Sequence, residues 1–499
     1  MLRALFISRA TTRTSLAVTK RARFLIVSLF IGGVVNAASP NTAYADSELP
    51  SLGGVSASPM SPEQEYQLGR TWLRQLRGQV PMLQDPLIQE YSEDLVYRLA
   101  SHSDLAEPDL AIVVINSKEI NAFAVPGGVI GLNAGLFLNA SREDEVSAVI
   151  AHEIAHVSQH HFGRRLADSQ RMSKAVLAAM LASLAVAIAG DAEAGMVGLM
   201  TSQAAAIQAQ LAYSRTQERE ADRVGMQTLV NAGMDPEAMA SFFEQLLRGQ
   251  QFSSDPPEFL ITHPITEERI SDARGRANAL PTVPLHDSLH FQLIKARIMA
   301  GFLGSSDQAV GHFQPMYQNG DSQQQQASGY GLAVSYIRNR QYDEAQQILE
   351  SLSSRHRNEL WYRLGLAEVA QARGKHKDAI AQLGELIDIM PGNYAVSVML
   401  SYSLIRDGQP EKAELLLAPL LQKRVHDAGL WRLAADAWGN NGQLAEAHFA
   451  RGEYLFLSGR ESRGIEQMSY ALDKSKDNFP MHSRIKARMH EMEVMYKEK

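Results

Sequence analysis

The spacing of hydrophobic residues in the first part of this chain changes from helical to strand-like and then back to helical. From Ser61 to about Gly78 apolar residues recur at helical spacing, and Ser61-Pro62-Glu63 has the composition of an N-cap and first turn. Residues 110–115 form a short β-branched run, and residues 122–132 contain Val125-Pro126-Gly127-Gly128-Val129-Ile130-Gly131. The pattern predicts one helix followed by short strands with a turn between or beside them.

Helical spacing returns after residue 140 and dominates the rest of the chain. We expect Ser141 to cap a long helix, because three acidic residues in its first turn suit the positive end of the helix dipole. This helix continues to about His161, and a polar stretch at residues 250–257 interrupts the later helical pattern. Together these patterns predict a mainly α protein with a small β-sheet.

The C-terminal part of the chain repeats every 34 residues, which is the length of a tetratricopeptide helix-turn-helix unit. Four registers keep this period: Ala345, Ala379, Ala413 and Ala447; Gly374, Gly408 and Gly442; Leu332, Leu366 and Leu400; and Ala333, Ala367, Ser401 and Ala435. A looser unit at residues 286–319 and a terminal helix near residues 481–499 are expected to cap the array. We therefore predict an α-solenoid of tetratricopeptide repeats over residues 286–499.

Residues 1–45 have the composition of a secretory signal peptide. Basic residues come first, an apolar run extends from Phe24 to Val35, and Ala43-Tyr44-Ala45 supplies the small residues that signal peptidase accepts. The apolar run is shorter than the roughly 20 residues that span a bilayer. We expect export and cleavage near Ala45, which predicts a soluble periplasmic protein. Val35-Asn36-Ala37 is an alternative cleavage site, and a mitochondrial presequence is the alternative interpretation of the whole segment.

Charge and cysteine content exclude several classes of site. The formal net charge of -7 provides no basic excess for binding nucleic acid. The chain has no cysteine, so a disulfide framework, a thiolate metal site and a cysteine nucleophile are all excluded. Any transition-metal site must therefore use His, Asp and Glu.

The long helix contains the motif His152-Glu153-Ile154-Ala155-His156. Its histidines are four residues apart, so they project from one helical face and can share a metal ion, while Glu153 lies beside them as a general base for water. A catalytic zinc ion takes three protein ligands and leaves one position open. The motif therefore predicts a zinc-dependent endopeptidase that needs a third ligand from another element.

Glu218 and Asp222 are candidates for the third ligand and for a carboxylate that orients a ligating histidine. They are four residues apart on a predicted helix, so their side chains share a face. The same segment alternates Arg and Glu, which is also typical of a solvated charged helix. From spacing alone, both interpretations stay open.

Together with the histidine motif, two further segments resemble the HtpX/CAAX-protease family of gluzincin metallopeptidases. One is Tyr213-Ser214-Arg215-x-x-Glu218-x-Glu220-Ala221-Asp222, and the other is Asn121-Ala122-Phe123-Ala124-Val125-Pro126-Gly127-Gly128. The resemblance implies a gluzincin metalloprotease domain over residues 46–280. It also implies one Zn²⁺ held by His152, His156 and Glu218, with Asp222 orienting a ligand and Glu220 at the surface.

The resemblance, the signal peptide and the repeats together imply a function at the outer membrane. The implied protein degrades misassembled outer-membrane β-barrel proteins and assists their assembly, with the barrel-assembly machinery and the lipopolysaccharide-export barrel as partners. Substrate is expected to lie as an extended strand against the edge at residues 123–132. The alternative function is a chaperone or adaptor whose repeats bind proteins and whose metal site is only structural.

Two further features have competing interpretations. His263, in Thr262-His263-Pro264, could occupy the open zinc position in a latent state, donate to the oxyanion, or be a surface histidine. The family has a similar His-Pro, which implies a role near the metal, whereas His160 and His161 are expected to be structural or exposed. The apolar segment Ala175–Ala189 is too short to span a bilayer. It predicts a buried core helix, or else a helix that covers the active site or contacts a membrane or a partner.

Overall fold

The computed structural model describes residues 61–106, 109–168, 213–251, 257–281, 283 and 288–497. These residues belong to one compact unit, Val55–Lys499. The predicted signal peptide at residues 1–45 and the segment Ala175–Ala189 lie outside the described residues. None of the helices in the described ranges combines the length and the apolar content that crossing a membrane requires.

Helices and one small sheet make up the first part of the chain. The helices are α1 (Pro62–Gln79), α2 (Pro86–Ala100), α3 (Ala134–Asn139), α4 (Glu143–Ser158), α5 (His161–Asp168), α6 (Arg215–Asn231), α7 (Glu237–Gln251), α8 (Glu258–Thr262) and α9 (Glu267–Ala277). The strands are β1 (Ala111–Ile115), β2 (Ala122–Val125) and β3 (Val129–Asn133). The prediction of a mainly α fold with a small sheet is confirmed.

The strands form a sheet in the order β1-β3-β2. β3 pairs with β1 in parallel and with β2 in antiparallel orientation. The hairpin turn uses Gly127 and Gly128, with φ angles of 76° and 70°, which a residue with a Cβ rarely adopts. Because β3 is central, only β2 of the segment 123–132 presents an outer edge. The expectation of an edge over that whole segment is therefore corrected to β2.

Two helix starts show how far local sequence determines the fold. Ser61 caps α1 as expected, through a capping box with Gln64. α4 begins one residue later than a cap at Ser141 predicts, because its N-cap is Arg142, which makes no side-chain cap bond. Instead the Glu145 carboxylate accepts the backbone N–H of Ser141 at 2.6 Å. Ser141 therefore takes part in the helix start as a backbone donor to the first turn and not as a side-chain cap.

The C-terminal helices follow one another as antiparallel pairs. They are α10 (Leu289–Phe302), α11 (Ser306–Asn319), α12 (Ser322–Arg338), α13 (Tyr342–Arg355), α14 (Leu360–Ala372), α15 (His376–Ile389), α16 (Tyr394–Arg406), α17 (Pro410–Lys423), α18 (Ala428–Asn440), α19 (Leu444–Leu457), α20 (Glu461–Lys474) and α21 (Phe479–Lys497). α13, α15, α17 and α19 begin 34 residues apart, as the repeat predicts. Gly374, Gly408 and Gly442 lie in the turns with φ angles of 74° to 76°.

The repeats share one apolar core with the first part of the chain. A continuous cluster of buried side chains extends from Leu87 on α2 through Phe291 on α10 to Met492 on α21. Three sets of ion pairs cross the same boundary, which we call the seam. They are Arg74 with Glu461, Arg424 with Glu93, and Arg297 with Asp85, and Arg297 also pairs with Glu368 on the repeat side.

Candidate metal centre

α4 and α6 position the predicted motif residues against each other. A Cβ at Gly225 on α6 would lie 3.0 Å from backbone atoms of Ala151 and His152, so glycine permits the two helices to approach closely. Glu218 lies two turns before Gly225 and so projects from nearly the same face of α6. Helix packing thereby brings Glu218 to the histidines of α4.

The three predicted ligands converge in a buried cluster. His152 Nε2 and His156 Nε2 are 3.0 Å apart. Glu218 Oε1 lies 3.5 Å from His156 Nε2, and Glu218 Oε2 lies 3.6 Å from His152 Nε2. The solvated-helix interpretation of Glu218 does not match its position, because its residue exposure is 1%.

His263 joins this cluster rather than the surface. It follows α8 and stacks on Phe259 with ring centroids 4.7 Å apart. Its Nδ1 lies 3.1 Å from Glu218 Oε1 and 3.3 Å from His152 Nε2, and its Nε2 lies 3.3 Å from Glu153 Oε1. Potential ligand atoms of His152, His156, Glu218 and His263 all lie within 4.8 Å of one another. The surface interpretation of His263 is therefore inconsistent with the structure.

A buried arginine links the carboxylates of Glu218 and Asp222 on α6, and the sequence patterns did not single it out. Asp222 Oδ1 lies 3.0 Å from His152 Nδ1. Arg269 donates two hydrogen bonds of 2.8 Å to Asp222, and its third nitrogen lies 2.7 Å from Glu218 Oε2. Burial opposes the charge on Arg269, but the two carboxylates raise its pKa. The available signal was an arginine in the first turn of a helix that begins just after His263-Pro264.

His161 and Glu220 are also closer to the centre than expected. His161 is buried, and its Nδ1 lies 2.8 Å from His156 Nδ1. Glu220 was expected at the surface, but its side chain is only 26% exposed and lies 3.1 Å from His161 Nε2. His160 is exposed and has a positive φ of 50°. The structural interpretation thus fits His161, whereas the surface assignment of Glu220 is corrected.

Burial and mutual charge shift the pKa values of the cluster. Burial alone would lower the pKa of His152, but hydrogen bonding to Asp222 and the charge of Glu218 raise it to about 9. The pKa of His156 is well below its usual value, because it is buried beside a protonated His152. Burial would raise the pKa of Glu218, but the neighbouring histidines lower it well below its usual value. A positive charge on His152 therefore stabilises the neighbouring carboxylates.

The same atoms fit a divalent cation. The Nδ1 atoms of His152 and His156 both face acceptors, namely Asp222 and the His161 ring. If both rings were neutral with protons on those Nδ1 atoms, the two Nε2 lone pairs would point at each other across 3.0 Å. The proton held by His152, or a metal cation between the two nitrogens, relieves this contact. Neither carboxylate oxygen of Glu153 has a well-formed hydrogen bond within the described ranges. Nitrogen and carboxylate donors in this arrangement match the ligands of zinc.

Comparison with known proteins gives the same assignment for both parts of the chain. Residues 86–277 match peptidase family M48, and residues 327–358 and 370–437 match tetratricopeptide repeats. The chain is similar to the β-barrel assembly-enhancing protease of Escherichia coli, with 32% identity over 94% of this chain and 96% of that protein. The putative β-barrel assembly-enhancing protease of Vibrio cholerae is also 32% identical, over 84% of this chain and 87% of its own length.

A more distant similarity covers the catalytic part. The mitochondrial metalloendopeptidase OMA1 of Schizosaccharomyces pombe is 27% identical over 36% of this chain and 50% of that protein. The peptidase match and these relatives show that the chain is a metalloprotease, in agreement with the sequence prediction. They favour the protease over the non-proteolytic adaptor.

Proposed function

Because this chain belongs to the family of the β-barrel assembly-enhancing proteases, we propose that it is a periplasmic zinc endopeptidase that degrades misassembled outer-membrane β-barrel proteins and assists their assembly. The observation that supports the enzymatic part is the convergence of His152, His156 and Glu218 beside Glu153 in one buried cluster. A purely structural metal site has no use for a general base beside the metal.

The proposed cofactor is one zinc ion per chain, held by His152, His156 and Glu218. Zinc supplies Lewis-acid polarisation of the scissile carbonyl and lowers the pKa of water. Asp222 fixes the ring of His152 by accepting its Nδ1 proton, since a ligating histidine is oriented by the group that its other nitrogen meets. Arg269 holds the carboxylates of Asp222 and Glu218 in place.

Glu153 is the proposed general base and acid. Burial raises its pKa above the ordinary value of a glutamate, which strengthens it as a base. It takes the proton of the attacking water and then donates that proton to the leaving amine. Substrate would add to the outer edge of β2 as an extended strand, because backbone pairing accepts many sequences. The backbone amide of Ala124 on β2 already stabilises the charged form of Glu153.

His263 is proposed to hold the centre in a latent state. The distance of 3.3 Å from its Nδ1 to His152 Nε2 places it within reach of the position that substrate and water need. In the alternative role, His263 would donate to the oxyanion. The latent role is favoured because His263 contacts both Glu218 and Glu153, so it competes for the base as well as for the metal.

The repeats are proposed to dock partners and substrates. The inner face of the array, from about Gly331 to Ala447, would bind unfolded or misassembled barrel proteins, the barrel-assembly machinery and the lipopolysaccharide-export barrel. Concave helical arrays are protein-binding surfaces, and docking raises the local concentration of substrate at the centre. The net charge of -7 argues against nucleic acid as a partner.

The proposed periplasmic location depends on cleavage of the signal peptide near Ala45. Mass spectrometry of the protein recovered from a periplasmic fraction should find an N-terminus at or close to Asp46. An intact Met1 in the cytoplasmic fraction would contradict this location.

Zinc content and casein cleavage test the catalytic proposal together. The purified protein should contain one zinc ion, and Glu153→Gln should keep it while losing about 10²–10⁴-fold in the rate of casein cleavage. Glu385→Gln is the matched control, because it makes the same change at a side chain that is 74% exposed on a repeat. Cleavage by Glu153→Gln at the parental rate would contradict the proposed mechanism.

A further inference from the structure

The two histidines of the centre are supported in different ways. His152 Nδ1 faces a carboxylate directly, that of Asp222 at 3.0 Å. His156 Nδ1 faces another imidazole, that of His161 at 2.8 Å, and His161 Nε2 in turn lies 3.1 Å from the Glu220 carboxylate. We propose that His161 is the positioning residue of His156 and connects it to Glu220.

Helix geometry explains why an intermediate group is needed. Glu218, Glu220 and Asp222 all lie on α6. Residues four apart on a helix share a face, whereas a residue between them projects to another side. Glu220 therefore projects to a different side of α6, and its carboxylate contacts His161 and Arg164 on α5. The ring of His161 spans the distance between Glu220 and His156.

One arrangement of protons satisfies the whole series of contacts. His156 must present an unprotonated Nε2 towards Glu218 and His152, so its proton is on Nδ1. That proton is donated to His161 Nδ1, which must then be the unprotonated nitrogen of its ring. His161 therefore carries its proton on Nε2 and donates it to Glu220. Each of these ring nitrogens, and the carboxylate, is then either a donor or an acceptor of one hydrogen bond in the series.

The surroundings of His161 hold its ring in this orientation. His161 is fully buried at the start of α5, directly after the positive φ of His160. The Gln217 side chain donates to the backbone carbonyl of His161 at 3.1 Å. Arg164 donates to the Glu220 carboxylate at 2.9 Å, which fixes the far end of the series.

This inference rests on the proposed zinc site, and zinc affinity tests the two separately. Zinc binding by the parent protein, measured by competition with a chromogenic chelator, tests the proposed site. His161→Phe keeps an aromatic ring but removes both nitrogens. It should weaken zinc binding about 10–100-fold, as the loss of a group that orients a ligand does. The visible absorption spectrum of the Co²⁺-substituted variant should also change, because His156 is no longer held at one angle.

A conservative variant distinguishes positioning from packing. In His161→Asn the side-chain oxygen takes the place of Nδ1, so it can still accept the His156 proton, although the link to Glu220 is lost. Its zinc affinity and cobalt spectrum should stay close to those of the parent. His160→Asn is the matched control, because asparagine tolerates the positive φ at that exposed neighbour.

Urea unfolding of the metal-free variants shows whether each protein is folded. A folded His161→Phe that binds zinc as tightly as the parent would overturn the role of His161 and leave the zinc site intact. If His161→Phe does not fold, Glu220→Leu is the test instead, because it removes the carboxylate at the end of the series without changing the buried His161 ring. We expect weaker zinc binding there, because His161 without Glu220 can place its proton on Nδ1 and then no longer accepts from His156, whereas the amide oxygen of His161→Asn accepts in either case. Parental affinity would overturn the proposal. A parent that binds no zinc would instead contradict the proposed function.

Discussion

Two regions of buried charge in the described part of this protein are organised in opposite ways. At the seam Arg74, Arg424 and Arg297 each meet a carboxylate. Arg74 lies 3.1 Å from Glu461, and Arg297 bridges Asp85 at 2.8 Å and Glu368 at 2.9 Å. At the metal centre two imidazole nitrogens face each other across 3.0 Å. The seam is complete as it stands, whereas the centre is complete only with a shared positive charge.

This difference separates a structural cluster from a functional one more clearly than burial does. Both regions are buried and rich in charge, so exposure alone does not distinguish them. A pair in which donor and acceptor match holds two elements together and binds nothing further. A cluster in which acceptors face acceptors has affinity for a cation. The comparison predicts that substitutions at the centre change metal binding, while substitutions at the seam change stability.

The largest expected effect follows from removing the proposed charged ligand of the centre. Glu218→Gln should weaken zinc binding by roughly 1,000-fold or more, since even groups that only orient a ligand contribute 10–100-fold. Zinc in 1,000-fold excess over its dissociation constant should stabilise the parent by about 4 kcal/mol, and that increment should disappear in the variant. Calorimetric titration and thermal unfolding measure both quantities. Full zinc occupancy of Glu218→Gln would indicate a different third ligand.

The second expected effect concerns a buried pair at the seam. Glu461→Leu leaves Arg74 buried without its carboxylate and should lower the free energy of unfolding by about 3–5 kcal/mol. Zinc affinity should not change, because neither residue contacts the centre. Urea unfolding with and without zinc measures both.

A double variant and a surface pair serve as controls for the seam. Arg74→Met combined with Glu461→Leu should recover most of the lost stability, because an apolar pair avoids the uncompensated charge. Glu385→Ala removes the partner of Arg363 at an exposed pair and should cost less than about 1 kcal/mol. Equal losses in Glu461→Leu and Glu385→Ala would show that the seam pair is no different from a surface pair.

Local patterns determined the parts of the fold that sequence analysis predicted well. The repeat helices follow from a 34-residue period because each unit contacts mainly its neighbours. The histidine motif could likewise be predicted from the geometry of one helix. The helix that Ser141 was expected to cap begins one residue later, and Ser141 donates its backbone N–H to the Glu145 side chain instead of capping the helix. The exact start of this helix therefore depends on interactions between neighbouring groups.

Contacts between distant segments account for what the patterns did not predict. Arg269 reaches Asp222 across 47 residues, and His161 reaches Glu220 across 59. The seam joins residues as far apart as Arg74 and Glu461, and no periodicity indicates such a pair. Spacing alone also left open whether Glu218 and Asp222 belong to a metal site or to a solvated charged helix. The family resemblance was needed to choose between these two interpretations. The sequence therefore indicated which chemistry to expect better than it indicated the residues that support it.

A smaller effect at the seam depends on pH. His426 accepts or donates a 2.8 Å hydrogen bond with Tyr66, and burial beside Arg70 and Arg77 lowers its pKa to about 4. In the unfolded chain this histidine binds a proton near pH 6.5, so the folded state loses stability as pH falls from 6.5 towards 4. The loss should be about 2 kcal/mol at pH 5. Metal-free His426→Gln should lose correspondingly less than the parent between pH 7.5 and pH 5, and parallel curves would contradict the shift.

The smallest expected effect tests whether the centre itself is fully open in the resting protein. His263 contacts Glu218 and Glu153, so in the latent role it competes with substrate for both the metal and the base. If only about one tenth of the protein is open at rest, His263→Ala should raise casein cleavage about 10-fold, because apparent activity scales with the competent fraction. In the oxyanion role the same change should lower cleavage, because a donor to the transition state is lost. Whether the rate rises or falls relative to the parent therefore separates the two roles.

His312→Ala on α11 is a matched control, since that histidine contacts none of the cluster residues. An unchanged rate in His263→Ala would mean that its position in the cluster has no effect on turnover. The difference between the seam and the centre would then depend on metal binding alone.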